Sequence, residues 1–209
     1  MVILPNSNFE KTLRREGFNL IAGVDEAGRG SWAGPVYAAA VIFDFKKEIR
    51  GLDDVRDSKL LTPKKRRKLF KLIQVKAKAV GVGSVSHKEI DQVGIKEATL
   101  KAMRLAVKNL EINPEYLLVD AFEVEKITLP QKGIIKGDEK VFSISAASIV
   151  AKVSRDQEME KLHQEHPIYG FAQHKGYGVR YHREVLEEIG PCEIHRKSYR
   201  PIRKLIEDD

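Results

Sequence analysis

The sequence predicts an α/β fold in which a mixed sheet is flanked by helices and followed by a C-terminal helical region. Two apolar runs on either side of a glycine-rich stretch are typical of two strands joined by a loop. Further along the chain, apolar strands alternate with helical segments, which is the pattern of an α/β layer. The chain has 209 residues, 42% of them hydrophobic. We therefore expect one compact unit over 1–209, with 165–209 as the appended helical region.

The first half of the chain predicts three strands and a helix. Apolar runs at 20–24, 36–43 and 79–85 predict the strands. The helix between the second and third strands begins with Thr62 as its N-cap and Pro63 in its first turn. One face of this helix is strongly basic. The opposite, apolar face is formed by residues at helical spacing, namely Leu69, Phe70, Ile73 and Ala77.

The second half continues the alternation of strands and helices. A helix is predicted over 95–110 and is closed by Pro114, and a short buried strand at 116–119 ends in Asp120. The remaining predicted elements are a strand at 133–136, a long helix at 145–163 and helical stretches that follow Tyr181 and Tyr199.

The composition limits the class of function. Lys and Arg outnumber Asp and Glu by 37 to 30, and the formal net charge of +7 favours a polyanionic partner such as nucleic acid. Cys192 is the only cysteine, which excludes an intrachain disulfide and a cysteine-based zinc site. No segment has the roughly 18 apolar residues that a membrane span needs, and the N-terminal apolar run is too short for a signal peptide. We therefore expect a cytoplasmic protein.

Carboxylates follow two of the predicted strands. Asp25 and Glu26 come directly after the first strand, and Asp120 ends the fourth. A charged pair after a buried strand is costly unless it is solvated, paired or bound to metal; the simpler alternative is a loop pair that caps a turn. Asp138 precedes another apolar stretch and could join the same face. Such oxygen ligands select Mg²⁺ or Mn²⁺ over zinc, and two such ions suit hydrolysis of a phosphodiester.

Four motifs together resemble those of type 2 ribonuclease H, or ribonuclease HII. They are GVDEAGRG at 23–30, DSKLLTPKKR at 57–66, SAASIVAKVSRD at 145–156 and HKGYG at 174–178. They occur in the family's order and span nearly the whole chain. The resemblance implies the ribonuclease H-like fold with a central mixed five-stranded sheet. It also implies an endoribonuclease that hydrolyses the RNA strand of RNA–DNA hybrids and cuts at ribonucleotides in duplex DNA, leaving 3′-hydroxyl and 5′-phosphate ends.

The resemblance further implies which residues are catalytic. Asp25, Glu26, Asp120 and Asp138 correspond to the family's four metal-binding carboxylates, with two Mg²⁺ or Mn²⁺ ions bound during catalysis. Asp156 is the alternative to Asp138, since it also lies in a family motif. However, Asp156 falls inside a predicted helix one turn after a lysine, where an ion pair on the helix surface is its natural role. We therefore expect Asp138 to be the fourth ligand.

Five further residues resemble the family's substrate contacts. Gly28, Arg29 and Gly30 correspond to the loop that approaches the nucleic-acid backbone where RNA passes into DNA. Glycine lacks a Cβ, so its peptide groups can reach a phosphate or a 2′-hydroxyl, and arginine adds a forked phosphate contact. Tyr177 corresponds to the tyrosine that packs on the deoxyribose beside the ribonucleotide, and Lys59 to a phosphate-contacting lysine. The simpler alternatives are a tight turn, a partly buried tyrosine and a solvated lysine.

Three other features carry expectations. His174, His182 and His195 match no zinc-binding spacing, and we expect solvent-facing or structural roles for them. The basic face of the 63–78 helix either follows a nucleic-acid duplex or is simply solvated. Ser31–Trp32 replaces the Pro–Leu that is more common in relatives, which puts the local packing of the loop in question.

Three alternative functions remain open. Type 3 ribonuclease H shares the chemistry but has an additional N-terminal domain, for which the 24 residues before Asp25 are too few. An integrase-like strand transferase on the same fold would join DNA ends. A non-catalytic duplex-binding module would leave the clustered carboxylates unexplained.

The C-terminal PIRKLIEDD has no glutamine-plus-aromatic motif for a sliding clamp. We therefore expect a monomer with no obligate protein partner, whose substrates are RNA–DNA hybrids and DNA duplexes that contain ribonucleotides.

Overall fold

The computed structural model describes residues 4–45 and 49–207, and its described part contains one five-stranded sheet. The strands are β1 (Ile21–Ala27), β2 (Val36–Ile42), β3 (Ala79–Val85), β4 (Tyr116–Asp120) and β5 (Gln131–Ile134). Their order across the sheet is β3-β2-β1-β4-β5. β2 is antiparallel to both of its neighbours, whereas β4 runs parallel to β1 and to β5. The mixed five-stranded sheet is thereby confirmed.

Helices flank the sheet and form the C-terminal region. In chain order, those of the described residues are α1 (Asn8–Arg15), α2 (Pro63–Lys76), α3 (His87–Lys108), α4 (Gly137–Lys140), α5 (Phe142–Glu165), α6 (Phe171–His174), α7 (Arg180–Ile189) and α8 (Arg200–Glu207). A 3₁₀ turn at Ser58–Leu60 precedes α2, and a second one at Pro167–Tyr169 follows α5. None of the helices in the described residues has the length and apolar character needed to cross a bilayer.

Apolar cores lie on both faces of the sheet. Successive side chains of a strand point to opposite faces. In β2, Ala38 and Ala40 therefore belong to the core shared with α3, while Ala39 and Val41 belong to the core shared with α2 and α5. A third apolar cluster joins the loop residue Ala33 to the C-terminal helices. The loop that follows β1 is thus packed against the C-terminal region.

The predicted apolar face of α2 is confirmed. Leu69 and Ile73 are buried, and Phe70 and Ala77 are partly buried against the same core. The hydroxyl of Thr62 accepts a hydrogen bond from the amide of Lys65 at 3.3 Å, as expected of an N-cap.

Helix α5 lies directly against β1, close to the carboxylates. A Cβ at Gly23 would stand 2.2 Å from the backbone carbon of Ser143, so only glycine allows this approach. The start of α5 is also tied to α1, because Glu10 Oε1 accepts a hydrogen bond from the amide of Ser143 at 2.9 Å. This packing fixes β1 two residues before Asp25.

The first strand is longer than predicted. Its antiparallel pairing with β2 continues as far as Ala27 and Tyr37. Asp25 and Glu26 therefore lie within β1 and not directly after it. Hydrogen bonds to β2 keep these two charged residues in the strand. In the sequence, the change from apolar to charged residues had indicated that the strand ends before them.

Other boundaries also differ from the prediction. Helix α3 begins directly after Ser86, whose hydroxyl accepts the amide hydrogen of Glu89 at 3.3 Å, and it is interrupted at Gly94, where φ is 78°. Helix α1 was not predicted from the sequence. The remaining shifts are small: β5 covers Gln131–Ile134 instead of 133–136, and α5 covers Phe142–Glu165 instead of 145–163. Residues 1–3 of the N-terminal apolar run and 208–209 of PIRKLIEDD lie outside the described residues.

Candidate active site

Three carboxylates converge at the centre of the sheet. Asp25 and Glu26 are neighbours in β1, and Asp120 is the last residue of β4, the parallel strand beside it. One carboxylate oxygen from each lies within 4.8 Å of the other two. Among the described residues, this is the only group of three or more acidic, histidine or cysteine side chains close enough to share a metal ion.

Two of the three carboxylates, those of Asp25 and Glu26, are poorly compensated by the protein itself. Asp25 is only 4% exposed, and burial, followed by the negative charges of Glu26 and Asp120, raises its pKa well above the ordinary value. Burial also raises the pKa of Glu26, against the opposing charge of Arg29, whose Nη1 lies 3.3 Å from Glu26 Oε1. Within the described chain, Glu26 Oε2 is buried and has no hydrogen-bond partner.

This donor set fits a hard divalent cation. All the candidate ligands are carboxylate oxygens, which Mg²⁺ and Mn²⁺ prefer and which are unsuited to a closed zinc site. A bound cation would remove the mutual repulsion that raises the pKa of Asp25. Glu26, a member of the group, also has a buried oxygen, Oε2, that lacks a hydrogen-bond partner within the described residues.

Asp138 lies beside this group but is not one of the three residues whose oxygens lie within 4.8 Å of one another. The amide of Gly137 donates to Asp120 Oδ1 at 2.7 Å, which brings the start of α4 next to the end of β4. Burial and then the charge of Asp120 raise the pKa of Asp138, while Lys59 opposes them. Lys59 Nζ stands 3.4 Å from Asp138 Oδ2. Asp138 therefore flanks the carboxylate group on the side of Asp120.

Asp156, the rival of Asp138, is paired with cations of its own. Its Oδ1 lies 2.6 Å from Lys152 Nζ, one turn earlier in α5, and its Oδ2 lies 3.3 Å from Arg66 Nη1 on α2. The expected ion pair with the lysine one turn earlier is thereby confirmed, although both side chains are mostly buried and do not lie on the helix surface.

Lys59 is an exposed cation at the rim of the site. It lies in the 3₁₀ turn, where its amide donates to Asp57 Oδ1 at 2.9 Å, and its side chain is 77% exposed. Partial burial works against its charge, but Asp57, Asp138 and Asp25 outweigh this effect and raise its pKa. The side chain is therefore both solvated and directed toward the carboxylates by its contact with Asp138.

The two glycines after β1 occupy different environments. Gly28 has φ of 95°, and a Cβ there would stand 1.9 Å from Arg155 Nε. The φ angle of Gly30 lies outside the left-handed region, and a Cβ there would meet only Tyr177 Cε1, at 3.9 Å. Arg29 between them pairs with Glu26. The tight-turn interpretation thus accounts for Gly28, but it gives no reason for a glycine at position 30.

Tyr177 lies close to Gly30 in the turn that follows α6. Its side chain is partly exposed, at 36% for the residue. Lys152 Nζ and Arg155 Cζ each lie 5.6 Å from its ring centroid. The fold therefore brings together two of the sequence-predicted substrate contacts, Gly30 and Tyr177, which are far apart in the chain.

The three histidines have structural roles, and two of them are fully buried. The amide of Cys192 can only donate, so its 3.0 Å bond to His195 Nδ1 makes that nitrogen an acceptor. His195 Nε2–H then donates to His182 Nε2 at 3.0 Å, and His182 Nδ1–H donates to the carbonyl of Tyr177 at 2.9 Å. Burial lowers the pKa of both His182 and His195 to about 4, which keeps them neutral. His174 stacks on His182, with ring centroids 4.4 Å apart.

The unusual Ser31–Trp32 pair is well packed. The hydroxyl of Ser31 donates to the carbonyl of Gly28 at 3.0 Å and accepts a hydrogen bond from Arg155 Nη2 at 2.5 Å. The indole of Trp32 packs against Gly178 so closely that a Cβ there would stand 2.1 Å from the ring. The loop therefore accommodates both residues without leaving a buried hydroxyl unpaired.

Sequence reasoning missed two buried arginines that hold this region together. Arg155 lies in the SAASIVAKVSRD motif, of which only the final aspartate was considered as a site residue. Arg196 follows His195, and its Nη1 donates to the carbonyl of Arg29 at 3.0 Å. Both are fully buried. A fully buried arginine needs partners, but the sequence alone does not identify them.

The chain is similar to known proteins over most of its length. The family model described as "Ribonuclease HII" matches residues 22–202. A ribonuclease HII of Caldicellulosiruptor saccharolyticus is 51% identical over 190 residues, 91% of each chain. One of Dehalococcoides mccartyi is 49% identical over 206 residues, 99% of this chain and 97% of the relative. Among solved structures, the ribonuclease H2 of Pyrococcus horikoshii is 34% identical with a TM-score of 0.78, covering 90% of this chain and 98% of that one. The ribonuclease HII of Archaeoglobus fulgidus, solved in a complex with PCNA, is 30% identical with a TM-score of 0.73, covering 87% and 95%.

Proposed function

Because the chain belongs to the ribonuclease HII family and is a metal-dependent ribonuclease H hydrolase, we propose that it cuts both RNA–DNA hybrids and single ribonucleotides embedded in duplex DNA. The observation that carries this proposal is the group of Asp25, Glu26 and Asp120, in which one carboxylate oxygen from each residue lies within 4.8 Å of the other two. Glu26 also has a buried oxygen, Oε2, with no partner among the described residues. A basic chain with net charge +7 also suits a polyanionic substrate.

In this proposal, Asp25, Glu26, Asp120 and Asp138 hold two Mg²⁺ or Mn²⁺ ions. Such ions supply positive charge at the scissile phosphate and increase the acidity of water. The carboxylates act as ligands in their ionised form and do not themselves attack the substrate. Water attacks the phosphorus and the bond to the 3′ oxygen breaks, which leaves a 3′-hydroxyl and a 5′-phosphate. We also propose that the enzyme acts as a monomer.

Gly28, Arg29, Gly30, Tyr177 and Lys59 bind the substrate in this proposal. Within the described chain, the amides of Arg29 and Gly30 donate no hydrogen bond to another group, so they are available to a phosphate or a 2′-hydroxyl. The partly exposed ring of Tyr177 lies beside Gly30 and can pack on a sugar. The exposed Lys59 adds a cation at the rim of the carboxylate group.

The decisive experiment compares Asp25→Asn with Asp53→Asn. Both changes remove one carboxylate charge, but Asp53 is exposed and lies outside the carboxylate group. Single-turnover cleavage is measured with Mg²⁺ and with Mn²⁺ on a DNA duplex that contains one ribonucleotide, and the products are mapped at nucleotide resolution. We expect Asp25→Asn to lose cleavage and to bind Mn²⁺ more weakly in calorimetry while it keeps duplex binding. Asp53→Asn should match the wild type.

Undiminished cleavage by purified Asp25→Asn protein would contradict the proposal. Duplex binding without cleavage by the wild type, in either metal, would instead favour a binding module. Joining of DNA ends in the same assay would indicate a strand transferase.

A further inference from the structure

Arg155 connects two segments of the proposed substrate site. It lies on the buried side of α5 and is fully buried. Its Nε donates to the carbonyl of Pro35 at 2.9 Å, and its Nη1 donates to the carbonyl of Lys175 at 3.0 Å. Its Nη2 donates to Ser31 Oγ at 2.5 Å and to the carbonyl of Ala33 at 3.2 Å. One guanidinium thus bonds both the loop after β1 and the turn that carries Tyr177.

The same guanidinium also contacts the proposed substrate residues themselves. Gly28 lies so close that a Cβ there would stand 1.9 Å from Arg155 Nε and 2.3 Å from its Cδ. On another side, the guanidinium lies 5.6 Å from the ring centroid of Tyr177. Arg155 therefore packs between residues 28–30, called here the glycine loop, and Tyr177, both of which we propose to contact the substrate.

The chemistry of arginine suits this position. A guanidinium is planar and offers five donors in fixed directions, whereas an ammonium on a flexible stem offers three. Four acceptors from two chain segments are held here by three nitrogens of one rigid group. A lysine at this position would keep the positive charge but could not bond all four acceptors in the same geometry.

A second buried arginine holds the same loop from the opposite end of the chain. Arg196 Nε donates to the carbonyl of Gly34 at 2.9 Å, and Nη1 donates to the carbonyl of Arg29 at 3.0 Å. The hydroxyl of Tyr199 also donates to the carbonyl of Arg29. Because the carbonyls of the loop are bound from within, its free amides at Arg29 and Gly30 are kept for contacts from outside.

We propose that Arg155 is a positioning residue that sets the distance between the glycine loop and Tyr177, and that it thereby determines how well the enzyme recognises a single ribonucleotide. This inference rests on the proposed function, in which the loop and the tyrosine contact the two sides of an RNA–DNA junction. A single ribonucleotide offers only one place where RNA passes into DNA, and therefore one register of binding, whereas a long hybrid can be bound in many registers. An error in the spacing of the two readers is therefore more costly on the single ribonucleotide.

The test measures the ratio of kcat/KM on a duplex with one ribonucleotide to kcat/KM on a long hybrid. Arg155→Lys is compared with the wild type, with Tyr177→Ala, and with Arg104→Lys as the control. Arg104 lies on α3 and bonds Glu97 at 2.6 Å, away from the glycine loop. We expect Arg155→Lys to lower the ratio at least about tenfold, since a displacement near 1 Å can cost about 10²-fold in rate. Arg104→Lys should leave the ratio unchanged.

Each result has a distinct meaning. If Arg155→Lys lowers both rates equally, Arg155 is only structural and the inference is wrong. If Tyr177→Ala leaves the ratio unchanged, the proposed recognition of the junction fails. If Tyr177→Ala lowers the ratio but Arg155→Lys does not, only the positioning role is overturned. If circular dichroism shows that Arg155→Lys does not fold, the same ratio of kcat/KM values is measured for Ser31→Ala, which removes one of the four acceptors of Arg155. A lowered ratio would then support the positioning role, and an unchanged ratio would overturn it.

Discussion

An alanine at position 28 would place its Cβ in the guanidinium of Arg155, whereas an alanine at position 30 would meet only the edge of Tyr177. At position 28, an L residue with φ of 95° costs about 1–2 kcal/mol. The Cβ would also stand 1.9 Å from Arg155 Nε. Arg155 is buried and bonded to four acceptors, so it cannot move aside without breaking a bond from its charged group. Each such bond is worth about 1.5–3 kcal/mol.

We therefore expect Gly28→Ala to lower the free energy of unfolding by about 2.5–5 kcal/mol. Gly30→Ala should stay within about 0.5 kcal/mol of the wild type, because its Cβ makes an ordinary contact at 3.9 Å. Gly30→Ala is expected to act on substrate binding instead. Gly30→Ala places a methyl group where the nucleic-acid backbone is proposed to approach, and it should reduce cleavage at a single ribonucleotide at least about tenfold.

Urea unfolding followed by circular dichroism measures the first quantity, and single-turnover cleavage measures the second. The reasoning is refuted if Gly28→Ala is as stable as the wild type, since Arg155 would then have moved at no cost. Full activity of a stable Gly30→Ala protein would show that no backbone contact is made at that glycine. Loss of stability in Gly30→Ala would mean that the space beside Tyr177 is smaller than the structure indicates.

Two further predictions concern acidic pH and the fourth carboxylate. His182 and His195 have pKa values of about 4 in the folded chain against an ordinary value of 6.5, so the unfolded chain binds protons first as the pH falls. Their joint contribution to the free energy of unfolding, on the order of 3 kcal/mol, is complete above pH 6.5 and is lost as the pH falls toward 4. In urea unfolding at pH 7, 5 and 4, the wild type should lose stability relative to His182→Asn, which keeps a donor for Tyr177; parallel curves would contradict this. Asp156→Asn should lower the free energy of unfolding by about 1–3 kcal/mol, because Arg66 loses its charged partner, and should leave Mn²⁺ affinity in calorimetry unchanged. Asp138→Asn should weaken Mn²⁺ binding, and the opposite pattern would make Asp156 the ligand.

Local patterns were sufficient to predict the strands and the position of Asp120. The strand at 116–119 is a short apolar run, and its end is marked by the first charge. The same rule was wrong for β1, because pairing with β2 carries the strand through Asp25 and Glu26. The early start of α3 had a visible signal in Ser86 and Glu89, which have the spacing of a capping box.

The internal support of the site could not be predicted from the sequence. Arg196 and the Gly34 carbonyl that it bonds are 162 positions apart. Arg155 and its partner Pro35 are 120 positions apart. No local periodicity links such residues, and a buried arginine looks like any surface cation in a basic chain. The neutral histidines were likewise expected to be either solvent-facing or structural, and only the fold distinguishes the two.

Glu26 connects the carboxylate group with the loop that follows β1, because it belongs to that group and also pairs with Arg29. Oε1 lies 3.3 Å from Arg29 Nη1, in the loop proposed to contact the substrate. Oε2 is buried and has no partner within the described residues, and Glu26 shares the 4.8 Å group with Asp25 and Asp120. A carboxylate can accept from a guanidinium and ligate a cation at the same time, because its two oxygens have separate lone pairs. The ion pair with Arg29 therefore does not compete with the proposed metal. It orients Glu26 so that Oε2 remains free, and it anchors Arg29 at the start of the loop whose carbonyls Arg155 and Arg196 hold from within.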